Sequence, residues 1–214
     1  AALGCSPSSL YRIMRFLTNR GIFRQVNQAL GCSSQNSTSN AIACSSITYV
    51  QTPLSRLLAR NGEKSMAAIV LLESSPVMLS PWLGLGRRVL ANSPPPFDTY
   101  HGQDVWSYAQ NNPAHSKLIN DAMACDARVA VSAMINGCPQ VFEGISSLVD
   151  VGGGDGTALR TLLKACPWIR GINFDLPHVV SVAPRSDGVE HVGGDMFHSV
   201  PNADAAFIMV STVR

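Results

Sequence analysis

The sequence predicts an α/β domain with a parallel sheet in its second half, preceded by a mainly helical region. Strand-like and helix-like segments alternate from residue 145 onward, which is typical of parallel strands joined by helices. A glycine-rich segment, residues 152–156, stands where the first of these strands turns into its helix. The N-terminal end has the order helix, short strand, polar segment and returning strand, which is the outline of a winged helix.

Composition excludes several classes of protein. The 214 residues suffice for one large or two small domains, and a hydrophobic fraction of 46% can fill a core. A net charge of +2 gives no electrostatic case for a nucleic-acid partner. The longest apolar stretch, residues 66–72, is too short for a bilayer, so no membrane partner is expected. Six scattered cysteines without a CxxC pair indicate reduced thiols of a cytoplasmic protein and no metal site.

The first predicted helix begins after a capping serine, Ser6 or Ser8, and ends before Gly21. Its apolar residues recur at helical spacing: Leu10, Ile13, Met14 and Leu17. An extended stretch follows Gly21, then a polar run at residues 33–40 and a strand at residues 47–50. This winged-helix outline has two interpretations, DNA binding or packing in a dimer. The weak overall charge favours the dimer.

The middle of the chain is predicted to be helical, with breaks. Pro76 and Pro81 are expected to interrupt the apolar stretch between residues 66 and 90. The serine and prolines at residues 93–96 form the plainest linker in the sequence. The predicted helices here lie within residues 51–60 and 66–90, and over residues 104–109 and 113–135.

From residue 145 the predicted elements alternate regularly. The strands are residues 147–151, 171–174, 189–193 and 205–209, and the helices are residues 157–166 and 179–183. This alternation predicts a parallel sheet with right-handed crossovers.

The glycine-rich segment reads GxGxG, formed by Gly152, Gly154 and Gly156, with Asp150 two residues before it. Glycines allow a tight turn and close approach of a ligand to the backbone, and the following helix offers free N–H groups. The dinucleotide pattern GxGxxG has its last glycine one position later. An acid before the loop suits the cationic groups of S-adenosylmethionine better than the pyrophosphate of NAD.

Two further acids follow the next strands. Asp175 stands 19 residues after Gly156, which is where an acid binds a ribose diol in folds of this type. Asp195 follows the third predicted strand and can accept a hydrogen bond from an adenine amino group, while Met196 covers the ring. Three acids at the ends of three successive strands, together with the glycine segment, predict a nucleoside site.

Several segments resemble plant small-molecule O-methyltransferases of the caffeate, flavonoid and alkaloid type: LVDVGGGDG, GINFDLPHV, GVEHVGGDMF and NPAHSKLINDAMACDARV. The resemblance implies a Rossmann-like methyltransferase domain preceded by a winged-helix-like dimerisation domain, and therefore a homodimer. On this basis residues 1–95 are expected to form the dimerisation region with a helical extension, and residues 96–214 the S-adenosylmethionine-binding domain.

The resemblance also implies roles for individual residues. The cofactor would contact Gly152, Asp175, Asp195, Met196 and Met209. Met123, on the long predicted helix, matches a position that packs against the phenolic acceptor, although a methionine there can equally be a core residue.

The general base is where this sequence departs from the family. Relatives carry a histidine shortly after the fourth strand, and an alignment without gaps places Val213 at that position. A valine cannot take the phenolic proton. We therefore expect an O-methyltransferase truncated after its fourth strand, with weak or no activity. The alternative is a catalytically silent, cofactor-binding dimerisation partner of a full-length enzyme.

Overall fold

The computed structural model describes residues 4–29, 45–62, 64–91 and 93–209. They fall in two compact units, Ala1–Ser65 and Met66–Arg214. The predicted division between residues 95 and 96 falls inside the second unit and stays a prediction. The predicted polar run at residues 33–40 lies outside the described residues.

The first unit contains the predicted helix and a pair of strands. Its elements are α1 (Pro7–Asn19), β1 (Phe23–Ala29), β2 (Ser45–Gln51) and the four-residue helix α2 (Pro53–Arg56). Ser6 caps α1 by accepting a hydrogen bond from the Ser9 amide, and Pro7 suits the first turn because its missing N–H is not needed there. β1 and β2 are antiparallel, and the Thr52 hydroxyl donates to the Ile22 carbonyl at 2.7 Å.

The second unit begins with helices. They are α3 (Ala67–Glu73), α4 (Pro76–Leu79), a 3-10 helix (Ser80–Gly84), α5 (Leu85–Ala91), α6 (Pro96–His101), α7 (Val105–Asn111) and α8 (Pro113–Gly137). The predicted break at Pro76 is confirmed. At Pro81 the α-helix is interrupted as predicted, because α4 ends at Leu79 and Pro81 lies in the first turn of a 3-10 helix that leads into α5. The predicted linker ends at Pro96, which begins the short helix α6.

The predicted parallel sheet is confirmed. Its strands are β3 (Ser147–Val151), β4 (Arg170–Asp175), β5 (Val189–Gly193) and β6 (Ala205–Ile208), in the order β5-β4-β3-β6 with every pair parallel. Helix α9 (Thr157–Ala165) connects β3 to β4, and helix α10 (Pro177–Val180) follows β4. Helix α10 begins two residues before its predicted start, because Pro177 is suited to a first helical turn.

The core lies on both faces of this sheet. Leu148 packs with Val131 of α8 and with Leu159 and Leu162 of α9 on one face. Val149 and Val151 belong to a cluster on the other face. Alternate residues of β3 therefore point to opposite sides and both sides are covered, which is typical of a parallel sheet.

No single helix among the described residues is long and apolar enough to cross a membrane. Only a pair of helical segments, Ala67–Glu73 and Pro76–Leu90, passes that test of length and composition, and the pair is bent by 52°.

The start of β6 is tied to the start of β3 by Asp204. Its Oδ2 atom accepts hydrogen bonds from the amides of Ser146 and Ser147, at 3.0 and 2.9 Å. The Asp204 amide donates in return to the Ser147 hydroxyl at 2.9 Å. The bonds from the two amides, together with that hydroxyl, lower the pKa of the Asp204 carboxyl below its ordinary value of 3.8.

Replacing Leu159 by alanine should lower the free energy of unfolding by about 2–5 kcal/mol, because it opens a cavity in the core. Leu159 is only 1% exposed, whereas Val182 is 75% exposed. Val182→Ala is the control and should change the free energy of unfolding by less than about 0.5 kcal/mol. Urea titration followed by circular dichroism measures both, and equal effects would contradict the packing described.

Asp204→Ala should lower the midpoint of thermal unfolding at pH 7, where the carboxylate is ionised. A folded-state pKa below the unfolded value gives stability above the unfolded pKa, and that stability is lost as pH falls through the folded pKa. The difference from the unsubstituted protein should therefore shrink as pH falls below about 4. Asp187→Ala, which removes another exposed aspartate, is the control. A difference that is constant with pH would rule out the ionised carboxylate as its source.

Candidate active site

The glycine loop leaves the carboxyl end of β3 and is held against β4. The amides of Gly152 and Gly153 both donate to the Phe174 carbonyl, at 2.8 and 3.3 Å. Gly152 has a φ of 76°, which favours glycine. Gly153 is required for another reason. A Cβ atom there would lie 2.2 Å from Asn173 Oδ1 and 2.7 Å from Asp150 Oδ2.

Asp175 fastens the next residue of the loop. Its Oδ2 atom accepts from the Gly154 amide and its Oδ1 atom from the Leu176 amide, each at 2.7 Å. Burial raises the pKa of this carboxyl, although the two amides and the nearby His178 act in the opposite direction. One predicted cofactor residue, Asp175, is therefore bonded directly to the loop that carries another, Gly152.

Asp150 lies beneath the loop, in the next-to-last position of β3. Asp150 is only 2% exposed, and its Oδ2 atom has no hydrogen-bond partner among the described residues. Burial, and after it the neighbouring Asp175 carboxylate, raise the pKa of Asp150 to about 7. A buried carboxyl without a donor is unfavourable in its ionised form, and a cation placed close to it would relieve that cost.

A small pocket of about 40 Å³ brings three of the predicted site residues together. Gly152 of the loop, Met123 of α8 and Met209 after β6 all line it. The other residues that line it are Asn120, Ala124, Ala127, Asp150, Gly153, Gly154, Asp155, Thr157 and Ala158. Met123 remains 40% exposed, so its thioether can contact a molecule at this opening.

Asp195 and Met196 do not line that pocket. They lie in the turn after β5, where the Asp195 Oδ1 atom accepts from the Phe197 amide at 2.9 Å. This turn is joined to the end of β4 because the Gly194 amide donates to the Asp175 carbonyl at 2.9 Å. Val213, the predicted position of the missing general base, lies outside the described residues.

Sequence reasoning missed three residues at this site. Asn120 lines the pocket from α8, and Asn173 and His191 lie on β4 and β5 beneath the loop. The only signal in the sequence was a polar residue inside an otherwise apolar strand, in the segment GINFD. In the part of the chain that is described, no group of His, Cys, Asp and Glu side chains could hold a metal ion.

A larger open pocket of about 350 Å³ lies along α9, lined by residues that include Arg128, Arg160 and Lys164. It lies to the side of the strand ends. In open parallel sheets ligands bind beyond the carboxyl ends of the strands, so the smaller pocket is the candidate site.

Comparisons with known proteins show the family to which the chain belongs. Residues 82–213 match the model of the O-methyltransferase domain family. The acetylserotonin O-methyltransferase of Arabidopsis thaliana is 49% identical, over 97% of this chain and 53% of its own length. Flavonoid 4'-O-methyltransferase 4 of Mentha piperita is 39% identical, over 98% of this chain and 57% of its own length. The chain thus spans about half the length of the curated relatives it matches.

The solved structure of human N-acetylserotonin methyltransferase in complex with SAM is also similar. It has a TM-score of 0.75 and 15% sequence identity, and the match covers 95% of this chain and 56% of that one. At this identity the likeness shows the fold alone, which is Rossmann-like as the sequence predicted. The O-methyltransferase domain match, however, covers more than half of the chain. The chain therefore belongs to the plant S-adenosylmethionine-dependent O-methyltransferase family that its motifs predicted.

Proposed function

We propose that this chain is the cofactor-binding part of an O-methyltransferase that uses S-adenosyl-L-methionine to methylate hydroxyl groups of phenolic, flavonoid or alkaloid small molecules. The observation that carries the proposal is the buried Asp150 carboxyl, which lines a pocket with the glycine loop and whose Oδ2 atom has no partner in the described part of the chain. In this reading residues 96–214 are the cofactor-binding domain.

The residues present fit this cofactor. S-adenosylmethionine carries a cationic ammonium and a sulfonium, and the pocket offers the unpaired Asp150 carboxyl together with Met and Ala side chains. Two backbone positions leave no room for a side chain. A Cβ atom at Gly153 would collide with Asn173, and one at Gly194 would lie 2.5 Å from the Phe174 ring. Gly153 in the loop after β3 and Gly194 in the turn after β5 therefore have to be glycines.

Three residues would hold the nucleoside. Asp175 accepts from the Gly154 amide of the loop through one carboxylate oxygen and from the Leu176 amide through the other. Each oxygen keeps a further lone pair that can accept from a ribose hydroxyl. Asp195 would accept from the adenine amino group, and Met196, which is 38% exposed, would cover the ring. Gly152 would lie against the cofactor because it has no side chain.

When bound, the cofactor supplies a methyl group to a nucleophilic oxygen. The chain's own part is to orient the two reactants and to exclude water. Met123, Ala124 and Met209 give the pocket an apolar wall beside the polar loop. We assign Met123 to the acceptor and Met209 to the cofactor.

The proton on the acceptor hydroxyl needs a base, since a phenol has a pKa of about 10. We propose that the family's base position is occupied by Val213, so that the chain itself has weak or no activity. The acceptor class is supported by the names of relatives. They include the acetylserotonin and flavonoid enzymes above and a reticuline 7-O-methyltransferase of Papaver somniferum, 38% identical over 93% of this chain.

A second candidate function is a catalytically silent partner that dimerises with another O-methyltransferase subunit. It is favoured by exposed apolar side chains within residues 1–95, the region that we propose as the winged-helix-like dimerisation region. Helix α1 has no buried residue, and Ile13 and Phe16 are 56% and 57% exposed. In the second unit Leu83 and Leu90 are 86% and 90% exposed. Exposed large apolar side chains in such numbers are typical of an interface.

We propose a cytoplasmic location. The four cysteines in the described residues, Cys5, Cys125, Cys138 and Cys166, are free thiols. Free thiols in a domain of this size are typical of a reducing compartment.

Asp175→Asn should weaken binding of S-adenosylhomocysteine by about tenfold or more, because a neutral amide replaces the charged acceptor of the ribose hydroxyls. Calorimetric titration of the purified protein measures the dissociation constant. Asp187→Asn, at an exposed aspartate that does not line the candidate pocket, is the matched control and should bind as the unsubstituted protein does. No binding by the unsubstituted protein would refute the proposed cofactor site.

The chain should sediment as a homodimer, and Leu83→Glu combined with Leu90→Glu should shift it to the monomer, because buried charges oppose association. Val182→Glu is the control, since Val182 is 75% exposed but lies outside residues 1–95. Analytical ultracentrifugation measures both. A dimer that the double substitution leaves intact would place the interface elsewhere.

A further inference from the structure

A row of three polar side chains crosses the sheet beneath the glycine loop. Asp150 on β3 is the register partner of Asn173 on β4, and Asn173 is the register partner of His191 on β5. Residues paired in this way on parallel strands point to the same face. Asp150 and Asn173 are 2% and 0% exposed, whereas His191 is half-buried. The row therefore runs from the interior beneath the loop toward the surface.

With the Asn173 amide oriented as it is in the structure, the hydrogen bonds of this row assign the tautomer of the His191 ring. The Asn173 Nδ2 group donates to the Gly154 carbonyl and to His191 Nδ1, each at 3.0 Å. His191 Nε2 lies 3.1 Å from the Pro184 carbonyl, which can only accept. Nε2 therefore carries the proton and Nδ1 accepts, so His191 is neutral in this arrangement.

The other end of the row has two acceptors and no donor. Asn173 Oδ1 and Asp150 Oδ2 lie 2.2 and 2.7 Å from the position that a Cβ atom on Gly153 would occupy. Neither oxygen has a partner among the described residues. Two buried acceptors close together are unfavourable unless one of them carries a proton. Burial raises the pKa of Asp150 to about 7, so its carboxyl can supply that proton.

A half-turn of the Asn173 amide gives a second arrangement with the same number of protons. The Nδ2 group then donates to an ionised Asp150 Oδ2, and Oδ1 accepts from His191 Nδ1. For that bond His191 Nδ1 must carry a proton, so the proton that Asp150 loses is balanced by the one that His191 gains. The Gly154 carbonyl loses its bond from Asn173 and faces the Oδ1 atom instead, a cost that the cationic ligand has to offset.

We propose that Asp150, Asn173 and His191 form a proton relay in which a cationic ligand at the glycine loop drives the proton from Asp150 to His191. The proposal rests on the proposed function, because S-adenosylmethionine is that ligand. The sulfonium of S-adenosylmethionine adds one positive charge that S-adenosylhomocysteine lacks. The relay therefore makes the site discriminate the methyl donor from the spent product by charge. Asn173 and His191 are positioning residues, since they act through Asp150.

Few other charges act on this row. Asp175, on the neighbouring strand, opposes ionisation of Asp150, and His178 lies near Asp175. The residues that α8 contributes to the pocket are uncharged, and Phe207 of β6, the register partner of Asp150, is uncharged as well. Around His191, the lining of its surface pocket includes Arg185 and Asp187. Arg160, near Gly156, is paired with Asp155 at 3.2 Å.

The first test is nitrogen-15 NMR of the histidine rings in the purified protein at pH 6.5, below the pKa of about 7 for Asp150, so that this carboxyl holds the proton before the ligand binds. The His191 signal is assigned by its loss in His191→Phe. Saturation with S-adenosylhomocysteine should leave Nδ1 unprotonated, and saturation with S-adenosylmethionine should protonate it. Identical His191 signals with the two ligands would overturn the relay and leave the cofactor site standing.

The second test is the ratio of the two dissociation constants, measured by calorimetry. Asp150→Asn keeps the shape of the side chain but has no proton to release. We expect its preference for S-adenosylmethionine over S-adenosylhomocysteine to fall by about tenfold, equivalent to one pKa unit. A weaker contact with the ammonium, which both ligands carry, lowers both affinities and cancels in this ratio. Asp126→Asn on α8 is the control and should keep the ratio. An unchanged ratio in Asp150→Asn would also overturn the relay.

These outcomes separate the two proposals. Failure of the unsubstituted protein to bind either ligand would refute the proposed function and the relay together. Binding of both ligands without any change at His191 would refute the relay alone. Should Asp150→Asn fail to fold, the NMR comparison on the unsubstituted protein still decides the question.

Discussion

The backbone of the glycine loop is held by the last three residues of β4. Gly152 and Gly153 donate to the Phe174 carbonyl, the Gly154 amide donates to Asp175, and the Gly154 carbonyl accepts from Asn173. The loop is thus hydrogen-bonded to the carboxyl end of the sheet along its length. A strand pairing shifted by one residue would exchange Asn173 for its neighbours and leave these groups without partners, so the register of β3 against β4 and the shape of the loop depend on each other.

The same arrangement places two carboxyl groups close together at the end of the sheet where we propose that the cationic cofactor binds. Asp150 and Asp175 lie on adjacent strands at the same end of the sheet, and each is raised in pKa, chiefly by burial. Two acids in this position are unfavourable for the protein alone. A ligand with an ammonium and a sulfonium relieves the repulsion, so binding energy comes from interactions that the protein already holds in place. Electrostatics and fold therefore support the same assignment.

Helix α8 completes the site from the other side. Its buried residues Ala124 and Ala127 lie over the loop, and Ala127 and Val131 pack in the cluster that contains Leu148 and Leu159. Small side chains let the helix come close to the glycine loop, which explains the small size of the pocket. Helix α8 thus contributes Ala127 and Val131 to the core, and Asn120 and Met123 to the ligand site.

The sequence by itself determined most of the elements and predicted the strand ends on which the proposed cofactor residues lie. The alternation of strand-like and helix-like segments, the glycines and the strand-end acids are local signals, and they predicted β3, β5, the loop and Asp175 at their observed positions. The start of α10 was predicted two residues too late, because the prediction took no account of Pro177, and a proline is suited to the first turn of a helix. Only the tertiary structure decided that Asn173 and His191 join Asp150, and that Asn120 and Met123 face the loop. Those contacts depend on strand register and on the docking of α8, which bring together residues far apart in the chain.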